Sequence, residues 1–106
     1  MQLTITSRRQ EVPPILEGML RAKVEHLERF GHKLNALHAI FDREKYLYTA
    51  ELTLTAKGFA LAAKAKHPKD LLTCMEEALA KLEVQLKRRA DKQVDERRRR
   101  AAHRPA

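Results

Sequence analysis

The 106-residue chain has no tryptophan, only three glycines and a single cysteine, and its aromatic content is 5%. Each scarcity excludes something. One cysteine, Cys74, cannot form an internal disulfide, which fits a reducing compartment, and its place near an apolar helix face reads as a buried structural thiol. Three scattered glycines give no Gly-x-Gly-x-x-Gly and no phosphate loop. No apolar run approaches the roughly 18 residues of a membrane span. The opening MQLTITSRRQ has neither an apolar stretch nor a small-residue cleavage site, so the expectation is a soluble, cytoplasmic protein with no membrane partner. With so few aromatics the core must be aliphatic, and little remains to stack on unpaired bases.

A catalytic constellation is missing too. His26, His32, His38, His67 and His103 are scattered, with no i, i+4 pair and no cysteine partner, which disfavours a metal site. Glu76 and Glu77 are neighbours on a helix, so their carboxylates diverge and make no acid–base pair. The expectation is a binding protein: not an enzyme, with no cofactor, no metal and no small-molecule substrate.

Positive charge is what the chain has in abundance. Its net charge is +8, which calls for an acidic partner, nucleic acid first. Residues 1–55 carry eight Lys/Arg against seven Asp/Glu, whereas residues 56–106 carry fourteen against seven. The C-terminal half therefore builds the basic surface, and residues 81–106 alone hold ten Lys/Arg against four acids.

Alternation in residues 1–6 predicts a short strand with Leu3 and Ile5 on one side. Helical spacing of Leu16, Met19, Leu20, Leu27 and Phe30 predicts a helix over 15–30, opened by Pro13 and Pro14 and ended by Gly31. A second strand, 35–42, sets Leu37, Ala39 and Phe41 against Ala36, His38 and Ile40. A third, 46–55, sets Tyr46, Tyr48, Ala50, Leu52 and Leu54 against Leu47, Thr49, Glu51, Thr53 and Thr55. Ala56-Lys57-Gly58 reads as a hairpin turn leading into a fourth strand, 59–65. The order is β-α-β-β-β-α, an α+β two-layer sandwich with a four-stranded sheet and both helices on one face.

The last helix spans 68–100, with Pro68 in its first position and Asp70 in its first turn. Leu71, Met75, Ala78, Leu79, Leu82 and Leu86 form its apolar face. Lys81, Arg88 and Lys92, at i, i+7 and i+11, form a basic stripe beside it. Apolar residues almost vanish beyond Val94, so the expected division is an α+β domain over 1–95 and a flexible basic tail over 96–106. Lys23 falls within the apolar stripe of the first helix, where spacing alone favours a lysine snorkelling past the core edge. Cations at helical spacing follow phosphates without reading sequence, so the residues alone give an RNA-binding α+β domain for a folded RNA.

The opening MQLTIT, the element order and the segment DLLTCMEEALAKLEVQLKRRADK together resemble the ribosome hibernation-promoting factor family, which includes ribosome-associated inhibitor A. Lys23 and Leu27-Glu28-Arg29-Phe30 match as well, and the length is that of the family's short form. The resemblance implies a cytoplasmic factor that binds the small ribosomal subunit in the mRNA and tRNA channel and inhibits translation in stationary phase or stress. It implies that Lys23, Lys81, Arg88, Arg89 and Lys92 face rRNA phosphates, with Lys64 and Lys66 added by their place on the last strand. A monomer is expected when free. Ala80, Val84 and Ala90 stand where the family pattern usually has Asp, Arg and Lys, and the arginines at 97–100 are candidates to compensate. The competing expectation is a regulator that binds an acidic protein such as a sigma factor.

Overall fold

The structure is a computed structural model that describes residues 1–29 and 34–102, with side chains as far as residue 89. Strand β1 (Gln2–Ser7), helix α1 (Pro14–Glu28), strands β2 (Leu34–Glu44), β3 (Leu47–Ala56) and β4 (Phe59–His67), and helix α2 (Leu71–Ala102) follow in that order. This is the expected β-α-β-β-β-α. The four strands lie in one sheet in sequence order. β1 runs parallel to β2, and the remaining pairs are antiparallel.

Register explains the core. Leu3, Leu37, Leu54 and Leu61 line up across the sheet, and Ile5, Ala39, Leu52 and Ala63 form the next row. A third row sets Phe41 beside Ala50 and Ala65, so alanines flank the large side chains of the second and third rows and leave room for the helices. All these residues point to one face. Leu16, Leu20, Val24 and Leu27 of α1 and Leu71, Met75, Ala78, Leu79, Leu82 and Leu86 of α2 are buried in the same cluster, so both helices cover that face. The opposite face stays open to solvent.

Several boundaries differ from the sequence expectation. Tyr46 does not lie in β3. Glu44 pairs with Leu47, which leaves Lys45 and Tyr46 as a two-residue turn with Lys45 at φ 56°, and Tyr46 is exposed. The second hairpin closes likewise through Lys57 and Gly58, where Gly58 has φ 89°. The first position of α2 is not Pro68. Asp70 is the cap, accepting from the Thr73 amide at 2.6 Å and the Thr73 hydroxyl at 3.1 Å, so the helix starts at Leu71. From there α2 continues to Ala102, close to the expected end at 100, because no glycine or proline occurs between Leu71 and Pro105 and the segment is rich in Ala, Arg, Lys and Gln. In α1, Val24 takes the buried position and Lys23 beside it is exposed. Phe30 and Gly31, expected to close α1, lie outside the described residues.

The β1–α1 connection is held by side chains. Arg9, at φ 59°, donates to Asp42 through Nε at 3.0 Å and Nη2 at 2.7 Å, and the Arg8 amide extends the β1–β2 ladder to the Phe41 carbonyl. The Arg9 guanidinium holds the Asp42 carboxyl below the usual carboxylate range.

Candidate nucleic-acid interface

Strand β4 is an edge of the sheet, and its outward carbonyls need partners. Helix α2 supplies them. Lys81 Nζ donates to the Lys64 carbonyl at 2.9 Å, and Gln85 Nε2 donates to the Ala62 carbonyl at 2.9 Å. One turn further, the Arg89 guanidinium lies over the Phe59 ring, 4.0 Å from its centroid. Residues 81, 85 and 89 thus form an i, i+4, i+8 column running antiparallel to β4. Four helical residues rise about 6.0 Å and two strand residues span about 6.6 Å. The two repeats match closely enough for two successive hydrogen bonds, and Arg89 then meets the Phe59 side chain three strand residues beyond Ala62.

This column seats the basic stripe on the β4 flank of α2. Arg88 is exposed beside Lys81, Ala80, Val84 and Gln85, which together line a shallow groove of about 400 Å³. Val84, 48% exposed, gives that groove an apolar wall. Arg89 differs from its neighbours: its Nε is buried and has no hydrogen-bond partner among the described residues. Leaving a charged donor unpaired is unfavourable, by about 1–3 kcal/mol for an ordinary buried polar group, and stacking on Phe59 offsets part of it.

Lys64 and Lys66 project from β4 to the open face of the sheet. There they share a cleft with Arg8 and with Asp42, Glu44 and Glu51, so three cations face three carboxylates. Lys64 stands directly across from Glu51 in the ladder. The surroundings of these two lysines are therefore close to neutral, unlike the flank of α2. Lys23 does not join either group. It lines a cleft between the helices with Glu76, Leu79, Ala80 and Glu83, on the side of α2 turned away from β4. Lys92 belongs to α2, but its side chain lies outside the described residues, as do those of the arginines at 97–100.

Two contributors were not visible in the sequence. Gln85 stands at i+4 between Lys81 and Arg89, a spacing that groups all three but does not say that β4 lies beneath them. Phe59 reads as a strand residue with no hint of its cation partner thirty residues on. The remaining chemistry is structural. Cys74 is buried and donates weakly to the Ala65 carbonyl at 3.1 Å, and burial, with Glu77 nearby, pushes its thiol up to about 11. His67 Nδ1 accepts the Lys69 amide at 3.2 Å, which turns Nε2 toward Glu77 at 3.8 Å. No group of side chains suited to a metal ion occurs among the described residues, and no described helix is long and apolar enough to cross a membrane.

The fold has known counterparts. It superposes on a ribosomal subunit interface protein from Coxiella burnetii with a TM-score of 0.71, at 22% identity, covering 83% of this chain and 96% of that one. The N-terminal domain of Protein Y from Thermus thermophilus matches with a TM-score of 0.74, at 20% identity, covering 83% of this chain and 98% of that domain. At these identities the likeness is one of fold. The sequence itself matches the family described as Sigma 54 modulation protein / S30EA ribosomal protein over residues 3–94, from the first strand through the basic stripe. The chain therefore belongs to this family of ribosome-associated proteins, the hibernation-promoting factors that its last helix resembles.

Proposed function

We propose that this protein is a ribosome hibernation factor that binds the small ribosomal subunit in the mRNA and tRNA channel and inhibits translation in stationary phase or stress. The observation that carries the reading is the basic flank of α2, with Lys81 and Arg88 exposed along a groove and Lys81 and Gln85 hydrogen-bonded to the β4 edge. Family membership supports it. In this reading Lys81, Arg88, Arg89 and Lys92 meet rRNA phosphates, and such contacts give affinity without sequence readout. Lys64 and Lys66 extend the contact around the β4 edge, after giving up their carboxylate neighbours. Lys23 makes a separate contact from α1. The protein acts as a monomer in the cytoplasm, needs no cofactor and performs no catalysis.

Co-sedimentation with separated small and large ribosomal subunits at two salt concentrations tests this. Salt-sensitive pelleting with the small subunit alone is expected. Reversing Lys81, Arg88 and Lys92 to Glu should weaken it sharply, with the log–log salt slope falling by roughly 0.7–0.9 per lost phosphate contact. Pelleting with neither subunit, or unchanged affinity in the triple variant, removes the proposal.

The family description also names sigma 54 modulation, which keeps a second reading in view: a regulator docking an acidic protein through the same basic flank. Competition by total RNA separates the two. RNA displaces the ribosome at stoichiometric amounts if phosphates are the ligand, and a protein partner survives it at moderate salt.

A further inference from the structure

We propose that Phe59 and Arg89 form a pre-oriented phosphate clamp, in which the ring fixes the plane of the guanidinium and its Nη end grips one phosphodiester group. The inference rests on the RNA-binding reading above and deepens it: Phe59, an apolar residue of β4, becomes a positioning residue of the interface.

Three observations lead there. The guanidinium carbon lies 4.0 Å from the ring centroid, a stacking distance, so one face of the fork is covered by an aromatic that is itself packed against the core. Nε is buried without a partner among the described residues, which closes the side-on approach that would use Nε together with one Nη. Arg89 has no carboxylate ion-pair partner among the described residues, whereas Arg9 pairs with Asp42 and Glu44 and Arg21 pairs with Glu17. An arginine placed this way differs from the lysines around it. Its in-plane donors point in a fixed direction, and a planar fork matches two oxygens of one phosphate, whereas an ammonium is a point charge without directional preference. Little rotamer freedom is left to lose on binding, because Phe59 has already removed it.

The chemistry predicts a separation between charge and orientation. Arg89→Lys keeps the charge and the count of phosphate contacts, but has no fork and no planar stack. Phe59→Leu keeps the apolar contact with the core and leaves the guanidinium free to swing. Phe59→Tyr restores a ring. Binding to purified small subunits, titrated at four or more salt concentrations, reads all three. Arg89→Lys is expected to weaken binding by roughly tenfold, the loss of one charge-assisted hydrogen bond, with the salt slope unchanged. Phe59→Leu is expected to weaken it several-fold, again with an unchanged slope, and Phe59→Tyr to bind as the wild type. Arg89→Ala lowers both affinity and slope.

Wild-type affinity in Arg89→Lys overturns the clamp, because charge alone would then suffice. This test does not depend on how well Phe59→Leu folds. Equal losses in Phe59→Leu and Phe59→Tyr overturn the positioning role of the ring. A wild-type protein that binds neither subunit instead removes the RNA-binding reading beneath the clamp, so the two failures are told apart by the unsubstituted protein.

Discussion

Lys81 Nζ donates to the main-chain carbonyl of Lys64 across 2.9 Å, so a side chain whose spacing marks it as a phosphate contact is also a partner of the sheet edge. Only one of its three donors is used in this way, which leaves the ammonium free to meet a ligand at the same time. Gln85 does the same for Ala62. Replacing both with methionine leaves two edge carbonyls to water or to another strand. The double variant is expected to lose roughly 1 kcal/mol in all, a fall in melting temperature of about 4–8 °C. It should also self-associate as concentration rises, because the β4 edge becomes available for pairing. Melting curves and light scattering check this, and a monomeric variant that melts like the wild type would show that the edge needs no cover.

The Asp70 cap makes acid stability measurable. Hydrogen bonds from Thr73 hold its carboxyl below the ordinary carboxylate range. Since the folded value lies below the unfolded one, the associated stability is fully present above the unfolded value near 4 and is lost as pH falls through the lower folded value. Asp70→Asn still caps a helix but does not titrate there. It is expected to melt close to the wild type at neutral pH and to lose less on acidification to pH 3. Parallel acid profiles for the two proteins would contradict the assignment.

Cys74 should be inert while the protein is folded. With its thiol raised to about 11, only about one molecule in a thousand carries the thiolate at pH 8, and the sulfur is buried. Iodoacetamide at pH 8 should leave the native protein unmodified over a period that labels the urea-unfolded chain to one equivalent. Mass spectrometry gives the count, and rapid native labelling would mean that the α2–β4 contact opens readily.

Phe41 is the largest fully buried side chain among the described residues, in a sheet whose neighbouring core positions are alanines. Phe41→Ala is expected to cost about 3–5 kcal/mol, a large share of the roughly 5–15 kcal/mol that holds a domain folded. Urea titration followed by circular dichroism should show the midpoint fall, and a shift worth under about 1 kcal/mol would mean the site collapses around the gap.

The strands and the apolar face of α2 were legible because each alternation or helical repeat has a single buried side. Ala50, Leu52 and Leu54 repeat every second residue, and Leu71, Met75, Ala78, Leu79, Leu82 and Leu86 fall on one helix face. Local rivals blurred the boundaries. Pro68 and Asp70 are both good helix-start signals, and only the hydrogen bonds to Thr73 decide between them. Tyr46 has the parity of β3 but sits beyond the pairing of Glu44 with Leu47. Lys23 and Val24 are adjacent on α1, and packing decides between them: Val24 is buried beside Met1 and Leu3, while Lys23 stays exposed along the cleft set by the lateral position of α2. The same lateral position brings Arg89 over Phe59, and no periodicity in either segment encodes it.

The grips of α2 on β4 also limit how the chain can change in length. Each added or removed residue turns everything beyond it by about 100° around the helix axis. A single insertion between Lys81 and Gln85 would swing Gln85 and Arg89 off the strand together and carry the C-terminal arginines to another side of the molecule. A substitution in this segment alters one contact, whereas an insertion resets the aim of the whole basic arm. The fold should therefore accept many amino acids at the exposed positions of residues 81–89 and almost no change in their number.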